Sequence, residues 1–366
     1  RAMQPVGKTV IAASGLSPFP ADTTVIATSG AFGATLAGAL SQHSIIIQDS
    51  YRRPYDMPLQ GRVMPLTPAI NAGYRLAQFG RSDIRAYDDG IFRLDVVNNV
   101  DPWRKSVDDA PAHFVARVAP SVHTQFFAGA GVNAGIDLGL AQDSIAFDTA
   151  RHALAPDGLA NPYLSLLDEA VVSGVAFDLG HYRFDMSGAF GKPFIPTGTL
   201  GVWLHDQPRA FAGDAGLSVS LFDGVRARFD TGALNEQGSL LGALGVGAGK
   251  IGETSTWFAG FSGQWDLTPN VSLIGDVYSG VTSATGAGSL LRNVSNVASV
   301  SGGVALVADN VFDAGDRMIL GMSQPLRTVS GDAQFQIPDV FHVDGTVTAS
   351  RLRLGVAADE IGRAHV

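Results

Sequence analysis

Between Ser255 and Tyr278 the chain alternates apolar and polar side chains with a period of two. Trp257, Ala259, Phe261 and Trp265 share one face, and Thr256, Ser262 and Gln264 share the other. After the turn-forming run Asp266-Leu267-Thr268-Pro269-Asn270, Val271, Leu273 and Val277 oppose Ser272, Asp276 and Tyr278. Such alternation predicts a β-hairpin with one apolar and one polar face. A sheet made of hairpins of this kind must place its apolar face against another sheet, a closed core or lipid.

The same pattern recurs from about His113 onward. Strands are predicted over Thr124–Ala134 and Asp168–Leu179, the latter with Val171, Ser173, Val175, Phe177 and Leu179 on one face. Past Gly180-His181, Tyr182, Phe184, Met186, Gly188 and Phe190 alternate with Arg183, Asp185 and Ser187. Asp223-Gly224 is the strongest tight-turn signal, joining Leu217–Leu221 to Val225–Phe229. Further strands are predicted at Thr199–His205, Val297–Val307, Arg317–Arg327, Ala333–Ile337 and Thr346–Gly355. Longer loops are expected at Ala141–Asn161 and Asn235–Gly252. Short turns alternating with long loops is the asymmetry of outer-membrane barrels.

Residues 1–60 differ, being rich in Pro, Ser, Thr and Ala. Ser29 is placed to cap a short helix through Leu40, with Phe32, Leu36 and Leu40 at helical spacing. Ser44–Gln48 reads as a buried strand. Residues 61–112 are poorly patterned; Asp88-Asp89-Gly90 and Asn98-Asn99 read as turns, and Asp101–Asp109 as a solvated run. These divisions give an end-of-passenger or linker segment (1–60), a connecting segment (61–112) and a β-barrel-like domain (113–359). Residues 360–366 resemble a translated sequencing adapter and are expected to be a non-native tail. No leader opens the chain at Arg1, so N-terminal sequence is expected to be missing.

Composition narrows the function. The 366 residues include 44 Gly and no Cys, and 16% are charged. Disulfides and thiolate metal sites are therefore excluded. The net charge of −9 and the lack of a basic run interleaved with aromatics argue against a nucleic-acid partner. Mean hydropathy is positive, yet no run approaches the roughly 18–20 apolar residues of a spanning helix. Interleaved apolar residues of a membrane barrel give that combination, and so does an Ala- and Gly-rich soluble β protein.

Little catalytic chemistry is legible. Gly245-Val-Gly247-Ala-Gly249-Lys250 lacks the first Gly and the Ser/Thr of a phosphate loop. Gly129, Gly131 and Gly135 miss dinucleotide spacing. The eight His form no metal-binding motif, so neither metal nor cofactor is expected. Asp178 and Asp185 have the look of a glycosidase acid/base pair, with inward-facing or turn carboxylates the favoured reading. No Gly-x-Ser-x-Gly elbow occurs. Arg226 and Arg228 share one polar face with Asp230 and are expected to point inward and pair there, with Asp276 and Gln264 also inward. Trp257, Phe261, Trp265, Phe177, Tyr182 and Phe184 are the candidates for a lipid-facing aromatic girdle, with Tyr278 a further candidate.

Thr231-Gly-Ala-Leu-Asn-Glu-Gln-Gly-Ser-Leu-Leu-Gly242 and Met318-Ile-Leu-Gly-Met-Ser-Gln-Pro-Leu-Arg327 flank the Trp257–Tyr278 hairpin. With Ser29-Gly-Ala-Phe-Gly-Ala-Thr-Leu36 and Asp49-Ser-Tyr-Arg-Arg-Pro-Tyr55, they resemble the region C-terminal to the catalytic domain of subtilisin-like (S8 family) serine peptidases of Gram-negative bacteria, of the autotransporter-like kind. The resemblance implies an all-β fold, an antiparallel up-and-down barrel in the outer membrane, truncated at the C-terminus. It implies a covalently linked protease passenger before Arg1, whose catalytic Asp, His and Ser lie outside this chain. It also implies contact with outer-membrane lipid and with the barrel-assembly machinery. The family's chains end in an aromatic residue, where this one has Val366. The alternative is a soluble, sandwich-like accessory domain of a secreted peptidase.

Overall fold

The first strands are short because the chain that forms them is punctuated by proline. Val10–Ile11 (β1), Phe19–Pro20 (β2), Val25–Thr28 (β3), Ser44–Gln48 (β4), Pro54–Pro58 (β5) and Val63–Pro65 (β6) surround one helix, Thr35–Ser41 (α1). The computed structural model describes residues 4–11, 19–21, 24–65, 81–99, 113–132, 134–135, 161–193, 208–286, 290–312, 317–358 and 363–365. The sequence expectations at Thr199–His205, Asp101–Asp109 and 141–160 lie outside them.

The predicted strand at Ser44–Gln48 forms as β4, with Ile45, Ile46 and Ile47 buried. The predicted helix is shorter than its spacing suggested. Ser29 precedes a single 3-10 turn, Gly30–Phe32, and makes no side-chain cap; α1 starts at Thr35. Gly33, at φ 57°, breaks the run between them. Phe32, Leu36 and Leu40 nevertheless all enter the core.

The Asp49–Tyr55 motif is a loop organised by one carboxylate. Asp49 Oδ2 accepts from Arg53 Nη2 at 2.6 Å and Nε at 2.9 Å, and Oδ1 accepts from the Tyr51 and Arg53 amides at 2.9 and 3.1 Å. The guanidinium lies over the Tyr51 and Tyr55 rings, 5.4 and 5.8 Å from their centroids. Burial pushes the Asp49 carboxyl up, but the Arg53 guanidinium and the amides of Arg53, Tyr51 and Val6 outweigh it and hold the group well below the usual carboxylate range.

The rest of the chain builds one large antiparallel sheet. Its strands are Arg81–Asp88 (β7), Phe92–Asn99 (β8), His113–Ser121 (β9), Thr124–Val132 (β10), Leu167–Asp178 (β11), Tyr182–Pro193 (β12), Arg209–Phe222 (β13) and Val225–Gln237 (β14). A detour follows, Ser239–Leu240 (β15) and Ala243–Val246 (β16). The sheet resumes with Ile251–Thr268 (β17), Val271–Gly286 (β18), Leu291–Asp309 (β19), Arg317–Phe341 (β20), Val347–Gly355 (β21) and Arg363–His365 (β22). Neighbours in space are neighbours in sequence from β7 to β21, apart from the step from β14 to β17, and β22 pairs with β20. Among the described residues no pairing joins the β7 and β21 edges.

Two smaller sheets complete the fold, β2-β1-β4-β5 and β15-β16-β3-β6. The Gly-rich 245–249 stretch thus leaves the large sheet: β16 pairs with β3, and Gly247–Gly249 forms a 3-10 turn.

The large sheet has two unlike ends. At one end, tight turns at 89–91, 122–123, 179–181, 223–224 and 269–270 close hairpins, and β19 is joined to β20 across the seven positions 310–316. At the other, the chain leaves the sheet for longer between β8 and β9, β10 and β11, β12 and β13, and β14 and β17, while β18–β19 and β20–β21 are joined within five residues; there the N-terminal layer docks. Thr328 Oγ1 on β20 lies 3.1 Å from the Ala31 carbonyl, and Gln48 Nε2 donates to the Gly345 carbonyl at 3.1 Å.

Several strand predictions change in extent. The Ser255–Tyr278 hairpin is longer at both ends, β17 and β18 meeting at a turn of only Pro269-Asn270. The separate strands predicted at Arg317–Arg327 and Ala333–Ile337 are one, β20; where Gly331 adopts φ 125°, β19 bulges, Asn296 and Val297 standing against that single residue. Asn98-Asn99 is not a turn: both residues extend β8 and pair with Ser82 and Arg81. Cross-strand hydrogen bonding there overrides a local turn preference. The sheet also begins upstream of His113, with β7 and β8.

Candidate functional site: the two faces of the large sheet

Because side chains alternate along each strand, the register decides which residues share a face. On the outer face, Phe177 opposes Phe184, Phe184 opposes Leu217, Leu217 opposes Phe229, Phe229 opposes Phe261 and Phe261 opposes Val277. A parallel row runs Val225, Trp265, Leu273, Leu306 and Leu320. These rows stay open: Phe229, Phe261 and Trp265 are half exposed and Trp257 is 69% exposed. Phe177 and Tyr182 are exposed and Phe184 is partly so. All six aromatic residues singled out from the sequence therefore lie on the outer face. Tyr278 does not; it points inward and is 2% exposed.

An exposed face of this kind is costly in water. Each Phe, Leu or Val left out forgoes about 1.5–3 kcal/mol relative to burial. Soluble monomers rarely expose contiguous apolar patches beyond a few hundred Å², and this one crosses the strands from β11 to β20. Its height is also limited. On β17 it runs from Trp257 to Leu267, eleven residues and ten rises; at about 3.3 Å per rise and a tilt of about 40° this spans about 25 Å.

The inner face carries the polar chemistry. Arg228 on β14, 4% exposed, reaches across β13 to Asp185 on β12 in a two-pronged pair, Nη1–Oδ2 2.6 Å and Nη2–Oδ1 2.9 Å. Its Nε donates to Asp230 Oδ1 at 2.7 Å, and Asp214 Oδ2 lies 3.8 Å away. The Tyr278 hydroxyl donates to Asp230 Oδ2 at 3.2 Å. Asp185, Asp214 and Asp230 are all buried, so one guanidinium serves three carboxylates. Toward the tight-turn end, Arg226 Nη2 donates to Gln264 Oε1 at 2.8 Å, Gln264 Nε2 to Asp266 Oδ1 at 2.7 Å, and Ser272 Oγ to the same oxygen at 2.7 Å. Arg226, Arg228 and Gln264 lie on this inner face, with Asp276 on the same face beside Tyr278.

Glycines let these long side chains lie flat. A Cβ on Gly216 would sit 2.0 Å from the Arg228 guanidinium, and one on Gly260 would sit 2.1 Å from the Tyr278 ring, which is its direct cross-strand partner. Farther along, Tyr163 enters from the turn before β11, stacks on Phe258 with centroids 4.9 Å apart, and lies 2.9 Å from Ser299 Oγ. Asn161 holds that turn by accepting from the amides of Tyr163 and Leu164.

At the long-connection end Glu236, 2% exposed, accepts from Ser239 Oγ at 2.8 Å and the Leu241 and Gly242 amides at 2.8 and 3.3 Å. This explains the Glu-Gln-Gly-Ser-Leu-Leu-Gly portion of the Thr231–Gly242 motif: the carboxylate folds the chain back into β15. Beyond it the inner face turns apolar, where Ala333, Phe335 and Ile337 join Phe32 and Leu36 in one core.

Sequence reasoning missed Asp214 and the pairing of Asp185 with Arg228. Asp185 is in the buried ionic cluster, whereas Asp178 is partly exposed and lies 3.7 Å from Arg183; the two carboxylates have separate surroundings. Among the described residues no group of three or more His, Cys, Asp or Glu is placed to hold a metal ion, and no helix is long and apolar enough to cross a membrane. No protein-family model, curated protein or solved structure matches this chain.

Proposed function

We propose that the chain is the outer-membrane translocator or anchor portion of an autotransporter-like S8 serine peptidase, its large sheet closing into a β-barrel that exports or displays an N-terminal protease passenger. The observation that carries this reading is the inversion of polarity. The outer face is a band of Phe, Trp, Leu and Val, while the covered face holds the Arg228–Asp185–Asp230 cluster. A soluble sandwich places its apolar residues between the sheets and its charges outside. A lipid-facing barrel does the reverse. Trp257 and Trp265 near the two margins of the band support the same reading, as interfacial aromatics do, and so does the contrast between tight turns and long connections.

In this reading the mechanism is structural. Hairpin pairing satisfies the backbone within the sheet, which lipid requires. The inner ionic network stiffens the wall, and the N-terminal layer meets the sheet at the long-connection end, where a passenger would join. No residue of this chain is assigned a catalytic role, and none is assigned to a cofactor or nucleic acid.

The test is expression of the full chain in a Gram-negative host, followed by membrane fractionation and gel mobility in detergent with and without heating. The expected result is an outer-membrane species whose mobility changes on heating. A monodisperse soluble monomer without detergent would overturn it in favour of an accessory domain.

A further inference from the structure

The outer face carries one more feature where the apolar band ends. Two cross-strand rows meet there. The first is Phe190–Phe211, continuing through β14 to Ser255; the second is Arg209–Gln237–Glu253. Between them lies a groove of about 650 Å³. Its lower part is aromatic, Phe190 and Phe211 each being 53% exposed. Its upper part holds one cation and one anion, both exposed, and among the described residues no ion pair takes up either charge. Gln237 separates them, so their backbones stand about 10 Å apart, two strand spacings. Nearby, Glu236 also lines the groove, but its carboxylate is turned to Ser239 and the Leu241 and Gly242 amides.

We propose that this groove binds the headgroup of a zwitterionic phospholipid, a phosphoethanolamine, with the phosphate on Arg209, the ammonium on Glu253 and the proximal acyl chain on Phe190 and Phe211. The planar guanidinium offers a two-pronged donor set that fits phosphate oxygens. Glu253 supplies the acceptor that a purely anionic headgroup has no use for, and would repel. Ser255, two residues along β17 from Glu253 and in the same row as Phe211, adds a hydroxyl on the anionic side of the groove. The position suits a lipid, because charge and aromatic surface meet where the apolar band gives way to polar residues. The proposal rests on the membrane-facing reading of this sheet.

The test uses the full chain purified in a non-ionic detergent, with retention of didecanoyl phosphatidylethanolamine and of phosphatidylglycerol of the same chain length measured by native mass spectrometry. The expected result is one retained phosphatidylethanolamine in preference to phosphatidylglycerol. Arg209→Ala is expected to lower its retention about tenfold, the loss of one charge-assisted contact. Glu253→Gln is expected to abolish the preference between the two lipids. Both residues are exposed, and heat-modifiable mobility reports that each variant is folded. Equal retention of both lipids by the unaltered chain, or retention unchanged by Arg209→Ala, overturns the headgroup site. Flotation with phosphatidylcholine vesicles reads the membrane-facing surface separately. A chain that floats but does not discriminate refutes the site alone, whereas a chain that stays in solution refutes both.

Discussion

At the scale of single residues, Arg228 shows how a charge is kept beneath a sheet. Its guanidinium meets Asp185 and Asp230 within 3 Å, so removing it leaves buried carboxylates without a counter-charge. Arg228→Gln is expected to cost about 3–5 kcal/mol, read as a lower midpoint in urea unfolding of the detergent-solubilised chain; an unchanged midpoint would mean that the cluster is solvated. The glycines beneath the inner side chains supply a sharper contrast. Gly260→Ala drives a methyl into the Tyr278 ring and is expected to cost about 1–3 kcal/mol. Gly263→Ala, three positions along β17 and on the outer face, meets its nearest neighbour at 3.6 Å and is expected to be near neutral in the same assay.

Asp49 makes a prediction about pH. Its carboxyl is held below the ordinary value, so the folded state binds its proton less readily than the unfolded chain. The stabilisation is then fully present above about 3.9, the ordinary carboxylate value, and is lost progressively as pH falls below it through the lowered folded pKa. Proteolysis of the N-terminal layer by an acid-active protease should quicken below about pH 4, and Asp49→Asn should reduce that dependence; a pH profile the same in both chains would disprove the role. The alternation in the sequence identified the face on which Arg228 lies. It did not reveal Asp185, because that partner stands two strands away and only the register brings it within reach.

At the scale of elements, the strands were the legible part. Period-two patterning placed the faces of β11, β12, β17 and β18, and the Asp223-Gly224 turn fell where the chain reverses. Lengths were less legible. Strand pairing continues past the last alternating residue wherever a neighbour is available, as at Asn98 and Asn99 and at both ends of β17. The reverse happened at α1, where helical spacing begins at Phe32 but Gly33 postpones the helix to Thr35. The element most exposed to test is β17. Phe261→Arg puts a cation in the middle of the outer band, and insertion is expected to weaken by about 2–4 kcal/mol. The readout is the fraction of chain that floats with vesicles. In a soluble domain the same substitution would instead improve solubility.

At the scale of the whole molecule, few polar contacts join the N-terminal layer and the sheet among the described residues. Thr328, fully buried, faces the carbonyls of both Ala31 and Val356. Its replacement by Val removes the one hydroxyl proton that serves them, and is expected to cost about 1–2 kcal/mol. Faster amide exchange at residues 24–65 with little change in β17 and β18 would locate that loss at the junction; uniform acceleration would not fit it.

The sequence by itself determined that the chain is β-rich, that its hairpins have one apolar and one polar face, and which residues lie on each. Those properties are local, set by side-chain alternation and turn chemistry. Only the tertiary structure decided that the polar face is the covered one and the aromatic face the open one. Alternation alone is the same for a sheet facing water, a second sheet or lipid. It is the register across β12, β13 and β14 that assembles Asp185, Asp214, Arg228 and Asp230 into a buried cluster, and that same register carries Phe184, Leu217 and Phe229 to the outside.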